Sequence, residues 1–332
     1  MAGCGGNNMT HRYARQMVLP EVGEAGQSRL AAASVAVVGA GGLGCAVLQY
    51  LCAAGVGHLT LIDPDRVEES NLHRQPLYRM SDLGMPKVQA AHRVLVDTNP
   101  RVSITAIAER VTPANASNVV GVADVVVDAA DSLAVTYMLS DECRRTGKVL
   151  VSASVIGLSG YVGAFCGTGP SYRAVFPDMP SQVGSCAQSG VLGTAVGVIG
   201  TLQAHLILGL LLCLEPSPMW QLITVDFRTL RFGGFSFGGA RERPEDKLEF
   251  ISAADVSQSD IVVDLRSLQE APVCAFASAL RLGLDLFTSD SVSLPRAPRI
   301  VLCCRSGVRA WRAARALQRS GYSNLALIAF GE

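Results

Sequence analysis

The sequence predicts an α/β fold: a doubly wound, mostly parallel sheet followed by a second, smaller α/β unit. Three observations carry that expectation. A β-branched run, Val35-Ala36-Val37-Val38, enters Gly39-Ala40-Gly41-Gly42-Leu43-Gly44 and continues as a helix-like stretch to Ala54. From Ser34 to about Leu230, short β-rich runs alternate with helical stretches, the pattern of parallel strands with helices on their faces. After the stretch from Phe232 to Asp246, with its glycines, Arg241, Arg243 and Pro244, a shorter strand–helix pattern starts again. A chain of 332 residues is long enough for one large and one small domain.

Met1 to Met9 is rich in Gly and Asn with no apolar run, so it reads as a disordered tail and not as a signal peptide. Strands are expected at Val35–Val38, Leu59–Ile62, Val102–Ile107, Val125–Val127 and Val149–Ser152. Gly190 to Leu214 is nearly continuous in apolar and small residues and approaches the roughly 20 needed to span a bilayer. Gln203 and His205 sit near its middle and no cationic flanks mark its ends, which favours a buried core helix. Gly193, Gly197 and Gly200 would let that helix pack closely. In the smaller unit, strands are expected at Ile261–Asp264 and Ile300–Cys303, with a helix from about Val308 to Ser320.

Basic and acidic residues number 28 each, so the formal charge is zero and nothing points to nucleic acid or an anionic membrane. The 10 cysteines form no C-x-x-C pair, which suits reduced thiols in a cytoplasmic protein and not a disulfide framework. Lysine is scarce: Lys87, Lys148 and Lys247 stand among Arg-dominated basic residues.

The glycine turn has the G-x-G-x-x-G spacing in Gly39, Gly41 and Gly44, with Gly42 between them. Bare amides and the positive end of the following helix suit a phosphate, and Asp63 falls where an acid would hold a ribose hydroxyl in a Rossmann-like unit. Arg74 and Lys87 supply positive charge for phosphates, and Arg15 is a further source. Asp131 closes the run Val125-Val126-Val127-Asp128-Ala129-Ala130-Asp131, at the carboxyl edge where ligands bind. A carboxylate beside a triphosphate is repelled unless a cation lies between them, so Asp131 reads as a magnesium ligand. Cations and magnesium together fit attack on an α-phosphate with pyrophosphate leaving. Alone, Asp63 reads equally as a strand cap and Arg74 as a surface ion pair; the order in which they occur gives them weight. The glycine turn also admits a nicotinamide-dependent oxidoreductase, but no acid/base pair for hydride transfer is visible, and Arg74 and Lys87 would lack a role.

Taken in order, these segments resemble the ThiF/MoeB/HesA group of ubiquitin-activating-type adenylyltransferases, in particular the molybdopterin-synthase sulfurylase type with a fused rhodanese domain. The resemblance covers about residues 10 to 232. It rests on Arg12-Tyr13-Ala14-Arg15-Gln16 with Leu19-Pro20-Glu21, the glycine loop, Ser70-Asn71-Leu72-His73-Arg74-Gln75, Gly84-Met85-Pro86-Lys87, Asp128-Ala129-Ala130-Asp131 and Gly197-Val198-Ile199-Gly200-Thr201-Leu202-Gln203-Ala204. It implies ATP-dependent adenylation of the C-terminal glycine of a small ubiquitin-like sulfur carrier ending in Gly-Gly, then sulfur transfer to a thiocarboxylate. The implied nucleotide site is Asp63, Ser70, Asn71, Arg74, Gln75, Lys87 and Asp131, with Ser132 where the family usually has Asn. Arg15 would reach into the partner subunit of a homodimer. Cys186, in Gly184-Ser185-Cys186-Ala187-Gln188-Ser189-Gly190, matches the loop cysteine that captures the activated carrier. The same chemistry on another carboxylate, such as a peptide or a ubiquitin-like modifier, is the alternative.

The family's zinc site does not carry over. Its first C-x-x-C reads Ser171-Tyr172-Arg173-Ala174 here, and Gly233 to Gly239 holds no cysteine, so zinc is not expected. Phe235 and Phe237 are expected to pack where the metal would have been. Near the C-terminus, Cys304-Arg305-Ser306-Gly307-Val308-Arg309 resembles the rhodanese loop with Cys304 as sulfur acceptor, and Asp264-Leu265-Arg266 resembles an early motif of such domains. An amide cradle at a helix start is expected to depress the pKa of Cys304, with sulfur coming from thiosulfate or a cysteine desulfurase. Pro272 to Leu294 is atypical, so a degenerate docking domain is the alternative. The expected division is a tail at 1–9, an adenylation domain at 10–232, a linker at 233–247 and a short rhodanese-like domain at 248–332.

Overall fold

Apolar stretches too continuous to face water became the inner strands of a parallel sheet, while its edge strand is largely exposed. In the computed structural model, which describes residues 8–180, 190–243, 247–289 and 292–331, β1 (Ser34–Val38), β2 (His58–Ile62), β3 (Ser103–Ile107), β4 (Val125–Asp128) and β5 (Val149–Ile156) pair in parallel in the order β3-β2-β1-β4-β5. Helices α1 (Asn8–Met17), α2 (Gly23–Ala32), α3 (Gly42–Ala54), α4 (Lys87–Thr98), α5 (Ala116–Gly121) and α6 (Leu133–Thr146) surround them. The expected tail falls mostly on residues outside the described ones; α1 begins at Asn8.

The sheet runs further than the sequence implied. β6 (Ser159–Cys166), β7 (Gln221–Asp226) and β8 (Arg231–Ser236) extend it antiparallel beyond β5, making eight strands. Glycines obscured β6. A Cβ on Gly160 would stand 2.8 Å from the Ile199 side chain, so bare backbone there lets a helix lie against the strand. β8 also takes up the first four residues of the expected linker, Gly233 to Ser236, a correction to that boundary.

Between β6 and β7 come the short α7 (Tyr172–Val175) and the long α8 (Gly193–Leu212). α8 is long and apolar enough to cross a membrane, yet it packs on α3, β5 and β6, burying Ala195, Val196, Ile199, Gly200, Gln203 and Ala204. Gly200 has no room for a Cβ, which would meet the Leu43 carbonyl at 2.8 Å; Gly193 is pressed likewise on the His73 carbonyl. Gly197 faces open space and does not share that role.

The second sheet is parallel throughout: β9 (Glu249–Phe250), β10 (Ile261–Asp264), β11 (Leu280–Arg281), β12 (Ile300–Cys304) and β13 (Leu325–Ala329), in the order β11-β10-β12-β13-β9. Helices α9 (Leu284–Thr288) and α10 (Val308–Arg319) accompany it. One apolar core crosses from α6 into this sheet, joining Tyr137, Met138 and Leu139 to Phe250, Leu302, Trp311 and Leu317. The Tyr137 and Trp311 rings lie 4.8 Å apart. Arg173 rivets the junction. It donates to both oxygens of Asp141 at 2.6 and 2.9 Å and to the Leu248 carbonyl at 2.9 Å, and its guanidinium stacks over both Tyr137 and Trp311.

Candidate functional site

β1 delivers the glycine turn to the carboxyl edge of the large sheet, and packing explains most of its glycines. Gly39 sits at φ +101, and its Cβ would strike the Ala129 carbonyl at 2.5 Å. A Cβ on Gly44 would meet the Gly39 carbonyl at 2.0 Å, and one on Gly42 would meet Val196 at 2.5 Å. Gly41 differs: its nearest neighbour would be Gln75 Nε2 at 3.9 Å, so here the bare backbone faces room for a ligand.

Asp63 follows β2 and is tied to that turn. Its oxygens accept the Ala40 amide at 2.7 Å and the Asp65 amide at 2.8 Å. Burial raises its pKa, opposed by Lys87 and by these two amides. Lys87 opens α4 and is 5% exposed, with Nζ 2.7 Å from Asp65 Oδ2.

The segment after β2 makes a 3₁₀ turn at Glu69–Asn71 and aims Arg74. The guanidinium donates to Asn71 Oδ1 at 2.8 Å and to the Ser70 carbonyl at 3.2 Å. Ser70 and Asn71 both donate to Glu68 at 3.4 Å. Gln75 is 3% exposed, and its Oε1 is buried with no partner among the described residues.

Beyond β4, Asp131 is exposed and makes no hydrogen bond or ion pair among the described residues; Ser132 holds the N-cap position of α6. The turn leading to it hangs on buried Asp128, which accepts from Ser152 Oγ at 2.7 Å and from the Ala130 amide at 3.3 Å. Burial pushes the Asp128 carboxyl up to about 6. Gln203 donates from α8 to the Asp128 and Val151 carbonyls, stapling β4 to β5.

The structure thus gathers Gly39, Gly41, Gly42, Gly44, Asp63, Ser70, Asn71, Arg74, Gln75, Lys87, Asp131 and Ser132 along one edge. It does not bring Arg15 there. α1 is anchored at the far end of α3, where Gln16 Nε2 donates to the Ala54 carbonyl and Tyr13 abuts Gly55. The 13 residues of α3 put about 20 Å between that end and the glycine turn. Cys186 lies outside the described residues. Sequence reasoning passed over Asp65, Glu68, Asp128 and Gln203 as site residues. The doublet Asp63-Pro64-Asp65 and the lone amide in an apolar helix were the available signals.

At the second sheet, β12 runs on through Cys304, and the loop turns at Gly307, φ +84, into α10. The Ala310 amide donates to Cys304 Sγ at 3.4 Å, so the amide cradle exists. The expected low pKa does not follow. Cys304 is 0% exposed, and burial raises its pKa against the Ala310 amide and the Arg309 charge. A Cβ on Gly307 would stand 2.8 Å from the Phe250 ring and 3.2 Å from Ala134 on α6, so the junction between the sheets closes one side of the loop, while Arg305 and Ser306 on it are exposed. Cys303 points to the opposite face, among Val262, Val301, Ala326 and Ile328. Asp264 and Arg266 form a two-pronged ion pair at 3.0 and 2.8 Å that closes the turn after β10.

The residues at the zinc positions do not fit the metal, since Ala and Gly offer no ligand. Glu242 makes the link across that region, accepting the Ser171 amide at 2.7 Å and the Ser171 hydroxyl at 2.8 Å. Phe237 stacks on Phe165 with centroids 4.9 Å apart. Phe235, against expectation, is half exposed.

The ThiF family matches residues 13–245. The adenylyltransferase and sulfurtransferase MOCS3 of Bos taurus is 46% identical over 325 residues, covering 85% of this chain and 71% of that one. The sulfur carrier protein adenylyltransferase of Thermus thermophilus is 46% identical over 223 residues, covering 65% of this chain and 82% of that one. Among solved structures, E. coli MccB superposes with a TM-score of 0.62 at 22% identity, over 70% of this chain and 73% of that one. At that identity the likeness shows the fold alone.

Proposed function

The chain belongs to the ThiF family, and on that premise we propose that it uses ATP to adenylate the C-terminal glycine of a small ubiquitin-like sulfur carrier, with sulfur transfer then giving a thiocarboxylate. It is an adenylyltransferase with sulfurtransferase activity. The observation that carries the assignment of chemistry to a place is the carboxyl edge itself. There an open glycine turn, a ribose acid, two cations and a carboxylate unpaired among the described residues converge from separate segments.

The Gly41 and Gly42 amides and the start of α3 receive phosphate, and Asp63 holds the ribose. The carrier's terminal carboxylate attacks the α-phosphate and pyrophosphate departs. Lys87 and Arg74 stabilise the charge that builds on the phosphate oxygens. Asp131, exposed and without a partner among the described residues, would hold Mg²⁺, which when bound neutralises triphosphate charge. The outer sulfur of a persulfide then displaces AMP from the acyl adenylate to give an acyl disulfide. A second thiol attacks the inner sulfur of that disulfide, releasing the thiocarboxylate and ending in a disulfide with the donor cysteine. Cys304, loaded by thiosulfate or a cysteine desulfurase, is our candidate for that sulfur, and Cys186 for an intermediate acceptor. The distance of Arg15 from its own glycine turn supports a homodimer in which it completes the partner's site. A cytoplasmic location suits the free cysteines among the described residues.

ATP–pyrophosphate exchange tests the assignment. Radiolabelled pyrophosphate should enter ATP when a recombinant ubiquitin-fold carrier ending in Gly-Gly is present, and not when the two glycines are removed. Exchange that ignores the carrier's terminus would overturn the substrate; a carrier-independent response to a peptide would favour the alternative carboxylate.

A further inference from the structure

We propose that Asp65 is a positioning residue for Lys87 in the adenylation step, an inference that rests on the adenylyltransferase assignment above. Asp65 meets its neighbours through three groups. Its carboxylate accepts from Lys87 Nζ at 2.7 Å. Its carbonyl accepts the Lys87 backbone N–H at 2.9 Å, at the first residue of α4. Its own N–H donates to Asp63 Oδ1 at 2.8 Å, while the other oxygen of Asp63 takes the Ala40 amide of the glycine turn. One residue therefore joins the ribose acid, the glycine turn and the phosphate cation.

Stability is not the reason for the ion pair. The Asp65 side chain is 58% exposed, and a pair open to water on one side contributes little to folding. The Lys87 side chain, by contrast, is 7% exposed, so its stem is held and only the direction of its head is in question. An ammonium has three N–H donors on a flexible stem. Asp65 takes one of them and leaves two for phosphate oxygens. Charge and aim can then be separated. Without the Asp65 carboxylate the Lys87 charge remains and a competing anion is gone, so attraction for ATP persists. What is lost is a fixed direction toward charge that exists only in the transition state, which lowers turnover and not ground-state binding.

Asp65→Asn is the variant of choice, because both backbone contacts survive it. In pyrophosphate exchange with a Gly-Gly-ended carrier, kcat should fall about tenfold while KM for ATP stays level or drops. Limited acetylation with acetic anhydride supplies a readout independent of activity. Lys87 should react faster in Asp65→Asn than in the wild type, with Lys148 and Lys247 as internal references. A wild-type kcat, a raised KM at unchanged kcat, or an unchanged relative reactivity of Lys87 would each overturn the inference. Absence of exchange by the wild-type chain would overturn the adenylyltransferase assignment, and this inference with it.

Discussion

The glycine turn after β1 and the thiol loop after β12 both end a buried parallel strand, curl backbone amides around one position and begin a helix. Their surroundings differ. Around the first, Asp63, Lys87, Arg74 and Asp131 arrive from other segments, and Gly41 and Asp131 face open space. Around the second, Phe250 and Ala134 close on Gly307, and Cys304 has no exposed surface. A short motif encodes the amide cradle because that geometry is local. Whether the cradle is open, and which charge state it holds, is set by what packs on it from elsewhere.

The closed state of the thiol loop can be broken at Trp311, which is 1% exposed at the centre of the junction. Trp311→Ala should cost about 3–5 kcal/mol of stability, read as a lower unfolding midpoint, and should speed alkylation of Cys304 by N-ethylmaleimide. The open site is probed by Asp131→Ala and Lys87→Ala, each expected to slow pyrophosphate exchange by roughly a hundredfold or more, with the melting temperature unchanged in the exposed Asp131→Ala. Cys304→Ala should leave exchange intact while preventing sulfur loading from thiosulfate. Exchange lost in Cys304→Ala would mean that the two cradles are not separable.

Asp128 sharpens the comparison through pH. Its carboxyl is held at about 6, above the free value of 3.8, so the unfolded chain releases that proton first. Between roughly pH 4 and 6 the folded state binds more protons, so stability falls as pH rises through that window. Above it the penalty stands in full, about 3 kcal/mol. Asp128→Asn should raise the melting temperature at pH 7, with the gain vanishing near pH 4. A gain independent of pH would point to packing. The gentlest probe of the junction is Arg173→Ala. Losing hydrogen bonds to a charged group, worth about 1.5–3 kcal/mol, should speed alkylation of Cys304 roughly tenfold or more, with exchange unaffected.

Much of this architecture was legible in the residues. The five parallel strands and the second unit's β10, β12 and α10 appear within a few residues of expectation, because β-branched runs and glycine turns act locally. The antiparallel extension was not legible, since Gly160 and Gly163 break the apolar pattern of β6, and its pairing with β7 spans a long connection. Cys304 shows the limit most plainly. Its motif promised an activated thiolate, and the reversal comes from burial, with Phe250 and Ala134, both distant in the chain, closing on the neighbouring Gly307. Asp65 was passed over because its significance lies in Lys87, across the turn into α4.

Hydroxylamine trapping tests the central claim most directly. With ATP and a carrier ending in Gly-Gly, the wild type and Cys304→Ala should both convert the carrier's terminal glycine to a hydroxamate, visible in its intact mass. Asp131→Ala should not. A carrier left unmodified by the wild type, or modified equally by Asp131→Ala, would contradict the assignment of adenylation to this edge of the sheet.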